Sequence, residues 1–103
     1  MPRNEGTGTG FATRREEKVK EPEEYRVVLL NDNYTTMEFV VLVLMSVFQK
    51  PASESNRIML DVHKKGRGMV GVYPWDIATT KVEQVHQMAR KESFPLRCVV
   101  EKA

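Results

Sequence analysis

With 103 residues, 41% of them hydrophobic, the chain has enough apolar material for one compact domain with a modest core. Its net charge of +2 is too small to predict nucleic-acid binding, which is typical of strongly basic domains. The single cysteine, Cys98, excludes an internal disulfide, and no apolar run approaches the roughly 18 residues of a membrane span. The polar start of the chain is unlike a signal peptide, so we expect a cytoplasmic protein that binds neither nucleic acid nor a membrane.

The first 24 residues differ in composition from the rest. They carry five Lys/Arg and six Asp/Glu, a net charge of −1, with glycines near the start and little apolar material. The remaining 79 residues carry eleven Lys/Arg and eight Asp/Glu, a net charge of +3. This composition predicts a flexible N-terminal extension over residues 1–24 and a core domain over residues 25–103.

The first half of the core domain predicts a strand followed by two helices. Residues 25–30 are β-branched and aliphatic, as in a strand that is at least half buried. Thr35 and Glu38 have the spacing of a capping box, and the helix after them, expected to end near residue 50, carries apolar residues with a period of 3.6. A second helix follows Pro51 and has Gly66 as its natural C-terminal residue.

The second half predicts a strand, a helix and a strand. Residues 68–73 form the second strand, Pro74 opens the third helix, and residues 96–100 form the last strand. Three strands with helices on one face predict an α+β fold: a three-stranded antiparallel sheet packed against three helices, in the order β-α-α-β-α-β.

The chain offers little catalytic chemistry. Its two histidines, His63 and His86, lie on different predicted helices, and neither has a partner at a metal-ligand spacing. Cys98 lies within a strand and is expected to be buried. The glycines between residues 66 and 71 follow a helix and open a strand, the reverse of a phosphate-binding loop. We therefore expect no catalytic residue, no metal and no cofactor.

One group of residues does indicate a binding site. Residues 31–33, Asn-Asp-Asn, lie between the first strand and the first helix, and Met37 and Val40 share a face of that helix. Three residues on the second helix share another face: Met59, Val62 and His63. If the two faces meet, they enclose an apolar socket beside a carboxylate, two amides and an imidazole, which suits a hydrophobic residue with a free amine. The same pattern also fits an ordinary core beside an ordinary turn.

Residues 30–40 closely resemble the signature of the ClpS family, which runs Asn-Asp-Asp-Tyr-Thr-Pro-Met-Glu-Phe-Val. The similarity spans residues 25–103 without a gap. It continues in separate motifs at residues 59–63, 71–73, 80–82, 95–96, 98 and 101–103.

The resemblance implies an adaptor, and not an enzyme, that binds the N-terminal residue of N-end-rule substrate proteins, typically Leu, Phe, Tyr or Trp. Such adaptors dock on the N-terminal domain of the ClpA unfoldase, or of a ClpC-type relative, and deliver substrates to the ClpA–ClpP protease. A disordered extension ahead of the domain is expected to be engaged by the unfoldase during delivery.

The resemblance also assigns site residues. Four would surround the α-amino group of the substrate: Asn31, Asp32, Asn33 and His63. Six would line the pocket for its side chain: Thr35, Met37, Val40, Met59, Val62 and Leu96. Met37 matches the family residue that excludes β-branched side chains, and Asp76 and Lys81 would face the unfoldase.

Two positions depart from the family signature. Asn33 stands where the family usually has a second Asp, which removes one negative charge from the amine site. Thr36 replaces the usual Pro at the expected first position of the helix, which costs pre-organisation and no contact. We therefore expect ordinary specificity with an affinity below the family norm.

Two other classes of function stay open on the residues alone. A structural or ribosome-associated module would bind its partners without reading an N-terminal residue. An enzyme would use His63 together with Asp32 or Cys98, and its turnover would be abolished by His63→Ala.

Overall fold

The computed structural model describes residues 23–103, which form a three-stranded antiparallel sheet and three helices in the predicted order. All but the last two residues of the predicted extension lie outside this range. The strands are β1 (Glu24–Leu30), β2 (Arg67–Pro74) and β3 (Arg97–Lys102). The helices are α1 (Met37–Ser46), α2 (Ala52–Lys65) and α3 (Trp75–Lys91).

The sheet has the order β2-β1-β3, so that β1 is bonded on both sides. Val27 and Leu29 of β1 are fully buried and pack with residues of all three helices in one hydrophobic core. Their cross-strand partners include Gly68 on β2 and Cys98 on β3. The helices therefore cover one face of the sheet, as the sequence pattern predicts.

The other face of the sheet carries an ion pair that crosses the central strand. Val28 on this face is only 1% exposed, although it does not belong to the core cluster of the opposite face. Arg67 pairs with Leu30 at the end of β1, whereas Glu101 on β3 pairs with Arg26 near the start of β1. The two residues therefore lie towards opposite ends of the sheet. The Arg67 guanidinium donates to both carboxylate oxygens of Glu101, at 2.8 and 2.7 Å. The pair crosses β1 diagonally and links all three strands.

The start of α1 differs from the predicted capping box. Thr36 is the N-cap, and its Oγ1 accepts a hydrogen bond from the Phe39 amide at 3.1 Å. The prediction that Thr35 and Glu38 form the cap is wrong, because Asp32 already accepts hydrogen bonds from the Thr35 amide and hydroxyl. Thr36 is thus not the first helical residue, and its hydroxyl supplies a cap that Pro could not.

The end of α1 also differs from the expectation that the helix runs to about residue 50. The helix ends at Ser46, and Gln49 has a positive φ of 52° that reverses the chain before Pro51. Lys81 donates from its Nζ to the Val47 carbonyl at 2.9 Å, and so provides a hydrogen bond to a carbonyl that has no partner within the helix. The Lys50 amide bonds back to the Leu44 carbonyl at 3.1 Å and completes the turn.

The helix α2 ends as predicted and packs closely on β2. Gly66 takes the left-handed conformation, with a φ of 89°, and its amide donates to the Val62 carbonyl. A Cβ at Gly68 would lie 2.7 Å from Val62 Cγ2 and 3.0 Å from the Ile58 carbonyl oxygen. Only glycine at this position allows the helix to approach the strand so closely.

We expect Gly68→Ala to destabilise the protein by about 1–3 kcal/mol, because the added methyl group meets backbone as well as side chain. Urea unfolding measures this change. Gly71→Ala is the matched control, since its Cβ would meet only the end of the Tyr73 side chain, which can move. Equal effects of the two substitutions would contradict the proposed close packing.

His86 joins α3 to the outer edge of β3. Its Nε2 accepts a hydrogen bond from the Cys98 amide at 3.0 Å, which requires a neutral imidazole. Burial lowers the pKa of His86 below its ordinary value of 6.5; the charge of Glu83 opposes this shift and those of Arg90 and Arg97 add to it.

This hydrogen bond predicts a loss of stability in mild acid. The unfolded chain binds a proton at His86 near pH 6.5, whereas the folded chain does so only at lower pH. The free energy of unfolding should therefore fall as the pH drops below about 6.5 and level off below the folded-state pKa. Urea unfolding across this range tests the prediction, and His86→Gln, which keeps an acceptor but cannot titrate, should flatten the dependence. An unchanged slope in that variant would assign the effect to other groups.

Candidate functional site

The loop between β1 and α1 is held in place by backbone and side-chain hydrogen bonds. The Asn31 amide donates to the Gly66 carbonyl at 3.0 Å, which joins the loop to the end of α2. The Asp32 carboxylate accepts from the amides of Tyr34 and Thr35 through Oδ1, at 2.8 and 2.7 Å, and from the Thr35 hydroxyl through Oδ2 at 2.7 Å. Asp and Asn favour such turns because their short side chains reach backbone amides nearby.

This loop, α1 and α2 enclose a cavity of about 260 Å³. Nine residues line it: Asn31, Asp32, Asn33, Thr35, Met37, Val40, Met59, Val62 and His63. The structure thus brings together all four residues that the sequence assigns to the amine site and five of the six that it assigns to the side-chain pocket. The two helix faces do meet, which the spacing alone left open.

The cavity has a polar rim and an apolar wall. Val40 and Val62 are buried, with 5% and 3% of their surface exposed, and Met59 is half-buried. Met37 stands at the mouth and is 43% exposed. His63 is exposed at the rim, together with two asparagines. Such a cavity can bury an apolar side chain while it accepts hydrogen bonds from a donor at its entrance.

The polar side chains of the rim differ in the hydrogen bonds that they make within the described residues. Within residues 23–103, the side chains of Asn31, Asn33 and His63 make no hydrogen bond, whereas that of Asp32 accepts three. Partial burial opposes ionisation of Asp32, but the hydrogen bonds from Thr35 and Tyr34 outweigh it and hold the pKa of this carboxyl below its usual value. Asp32 is therefore ionised at neutral pH.

Leu96 is the one assigned pocket residue that does not line the cavity. It is 3% exposed and belongs to the hydrophobic core. It lies just before β3 and borders a different hollow, beside His86 and Ala89.

The two residues assigned to the unfoldase have different surroundings. Asp76 lies exposed in the first turn of α3, next to Trp75 and Ile77, which are 53% and 46% exposed. Lys81 points back into the fold, where its Nζ bonds to the end of α1 and lies 5.7 Å from the Phe48 ring centroid. Lys81 is therefore hydrogen-bonded within the fold, to the Val47 carbonyl, whereas Asp76 is exposed at the start of α3.

A second hollow of about 390 Å³ adjoins the cavity and was not predicted from the sequence. It shares Met37 and Met59 with the cavity and adds Glu38, Val41 and Asn56. These three residues are exposed or half-exposed on their helices. Their spacing is that of an ordinary solvated helix face, so the sequence contains no signal for this hollow.

The enzymatic hypothesis that pairs His63 with Cys98 as a nucleophile does not fit the structure. Burial raises the pKa of the Cys98 thiol to about 12, so that the thiol is protonated at neutral pH. Its neighbour is His86 and not His63. Residues 23–103 contain no cluster of three or more candidate metal ligands. No helix in the described part of the chain is long and apolar enough to cross a membrane.

The cavity and the α+β fold of residues 23–103 are typical of a binding module, and comparison with known proteins shows the family. The sequence model of the family described as ATP-dependent Clp protease adaptor protein ClpS matches residues 20–99. The ATP-dependent Clp protease adapter protein ClpS of Syntrophus aciditrophicus is 60% identical over 87 residues, which cover 84% of this chain and 81% of that protein. The ClpS adapter of Hyphomonas neptunium is 50% identical over 99 residues, covering 96% and 84%.

The fold comparison agrees with the sequence comparison. The structure of Agrobacterium tumefaciens ClpS2 bound to L-phenylalaninamide matches with a TM-score of 0.78 at 37% identity, covering 81% of this chain and all of that one. The chain therefore belongs to the ClpS family of Clp protease adaptors, as its sequence motifs indicate.

Proposed function

We propose that this adaptor binds the free α-amino group and the bulky hydrophobic side chain of N-end-rule substrates and delivers them to the ClpA–ClpP protease, whose specificity it thereby changes. The observation that carries the proposal is the cavity with hydrogen-bond acceptors at its rim and an apolar wall behind them. The ligand of Agrobacterium ClpS2, L-phenylalaninamide, has both chemical features, a free amine and an aromatic side chain.

The amine would be recognised by acceptors at the rim. An α-amino group has a pKa near 8 and is mostly cationic at neutral pH. The amide oxygens of Asn31 and Asn33 and an imidazole nitrogen of His63 can accept hydrogen bonds from it, and the charge of Asp32 favours a cation nearby. Acetylation removes both the charge and donors, so acetylated termini should bind poorly.

The side chain would be selected by the apolar wall. Burial of a Leu or Phe side chain contributes about 1.5–3 kcal/mol, roughly a tenfold to hundredfold preference over Ala. Val and Ile branch at Cβ and are stiff about χ1, so that Met37 at the mouth can exclude them sterically. Because only one substrate residue is bound, the cost of association keeps the net affinity moderate, which allows the substrate to be passed on to a protease.

Binding to labelled peptides tests the first half of the proposal. We expect peptides that begin with Leu or Phe to raise the fluorescence anisotropy at low protein concentration, and peptides that begin with Val or acetyl-Leu to bind at least about tenfold more weakly. Equal binding of all four peptides, or no binding, would favour the alternative of a module that does not read N-termini.

Delivery would use a surface other than the cavity. The exposed start of α3, with Trp75, Asp76 and Ile77, contributes no residue to the cavity lining and offers an apolar patch with one negative charge. All but the last two residues of the N-terminal extension lie outside the described range, and we propose that the unfoldase engages this extension during delivery.

A degradation assay with ClpA and ClpP tests the second half. The full chain should accelerate degradation of a fluorescent protein that begins with Phe. Removal of residues 1–20, or Asp76→Lys, should leave peptide affinity within about twofold, because neither change replaces one of the nine residues that line the cavity, and should reduce degradation. Loss of peptide binding in either variant would contradict this separation of surfaces.

A further inference from the structure

We infer that Met37 is a modification site, whose oxidation by hydrogen peroxide to methionine sulfoxide lowers the affinity of the cavity for apolar N-terminal side chains. Because this oxidation is reversible, it would make substrate binding by the adaptor sensitive to oxidants. The effect on affinity rests on the proposed function, whereas the oxidation of Met37 can be measured without any substrate.

The sulfur atoms of the chain differ in how far an oxidant can reach them. Cys98, the only cysteine, is 2% exposed, and burial raises the pKa of its thiol to about 12, so that little of the reactive thiolate forms. Three methionines among residues 23–103 are exposed: Met37 and Met45 at 43% each and Met69 at 49%. Oxidation of the folded protein should therefore begin at thioethers and spare the thiol.

Met37 differs from the other two exposed methionines in its position. It lines the cavity and also borders the adjoining hollow. Met45 lies on the same helix with the same exposed fraction, but it lines neither of these two hollows, and neither does Met69 on β2. All three side chains are accessible to peroxide, and among them only the oxidation of Met37 changes the lining of the cavity.

The reaction consumes one peroxide molecule for each thioether. A lone pair of the Met37 sulfur attacks one peroxide oxygen while the O–O bond breaks. This oxygen stays on the sulfur, and the other leaves as water. The sulfur is oxidised by two electrons, and the peroxide is reduced by two. No bond of the side chain breaks, and methionine sulfoxide reductases can remove the oxygen again.

A sulfoxide makes the mouth of the cavity polar. Water solvates its oxygen while the cavity is empty, and an entering Leu or Phe side chain would displace this water without replacing its hydrogen bond. Because burial of an unpaired polar group is unfavourable, the oxidised chain should bind a Leu-initiated peptide about tenfold more weakly. Met59 is half-buried, so it should be oxidised more slowly.

Peroxide treatment of the full chain, followed by removal of the oxidant, tests the inference. Mass spectrometry follows oxidation at each methionine, and anisotropy measures the affinity for a labelled Leu-initiated peptide that contains no Met or Cys. We expect the three exposed methionines to be oxidised before the two half-buried ones, with Cys98 still reduced. Affinity should fall about tenfold in step with the sulfoxide at Met37, and methionine sulfoxide reductase should restore it.

Two leucine substitutions on α1 form a matched pair. Met37→Leu removes the thioether at the mouth, so its affinity after treatment should stay within about twofold of its own untreated sample, whatever the substitution does to the untreated affinity. Met45→Leu removes an equally exposed thioether outside the cavity, and this variant should lose affinity on treatment as the parent chain does.

Two outcomes would overturn the inference. The first is that Met37 is oxidised no faster than the half-buried Met59. The second is that Met37→Leu loses as much affinity on treatment as the parent chain, which would place the effect at another residue. A loss of affinity that coincides with unfolding, measured by thermal unfolding of the treated chain, would count against it as well. Absence of binding by the untreated parent chain would refute the proposed function and the effect on affinity together, and the mass spectra would still decide whether Met37 is the oxidised residue.

Discussion

The hydrogen bond from the Asn31 amide to the Gly66 carbonyl joins the end of β1 to the end of α2, and the cavity depends on this contact. Gly66 can present its carbonyl there because its left-handed conformation ends α2 and turns the chain directly into β2. Gly68 then allows α2 to lie against the strand, with Val62 packed directly over the glycine. The loop, the helix and the sheet edge are therefore positioned by two glycines and one backbone hydrogen bond.

The parts of the fold that follow local rules could be predicted from the sequence. The order of the elements, the αL end at Gly66 and the opening of α3 after Pro74 all depend on residues adjacent in the chain. The face of α1 could be predicted only in part, because its period of 3.6 indicates the buried Val40 and Leu44 but the helix carries apolar residues on its other sides as well. Phe39 and Val43 are buried there, whereas Met37 is largely exposed.

The N-cap of α1 depends on hydrogen bonds to a neighbouring residue, because two adjacent threonines could each cap the helix. Thr35 and Thr36 are both suitable N-cap residues by type. Asp32 binds the amide and hydroxyl of Thr35, so that Thr36 caps the helix and α1 begins one residue later than the capping-box spacing suggests. A prediction from spacing alone could not contain this competition.

The candidate site was predictable where its residues share helix faces, and less so elsewhere. Val40 and Val62 follow from i, i+3 and i, i+4 spacing on their helices, and both line the cavity. Leu96 came only from family resemblance, and its side chain packs into the core. The bond from Lys81 to Val47 joins residues 34 positions apart, which a sequence pattern does not reveal.

The ion pair between Arg67 and Glu101 has a consequence for how the sheet opens. The pair spans three strands, with Nη2 of Arg67 donating to both carboxylate oxygens of Glu101, and it is broken when either edge strand separates from β1. The edges are therefore coupled through their side chains as well as through the central strand. Because the pair is partly exposed, it adds at most about 1 kcal/mol to this coupling, so its loss should speed amide hydrogen exchange at the two edges only slightly.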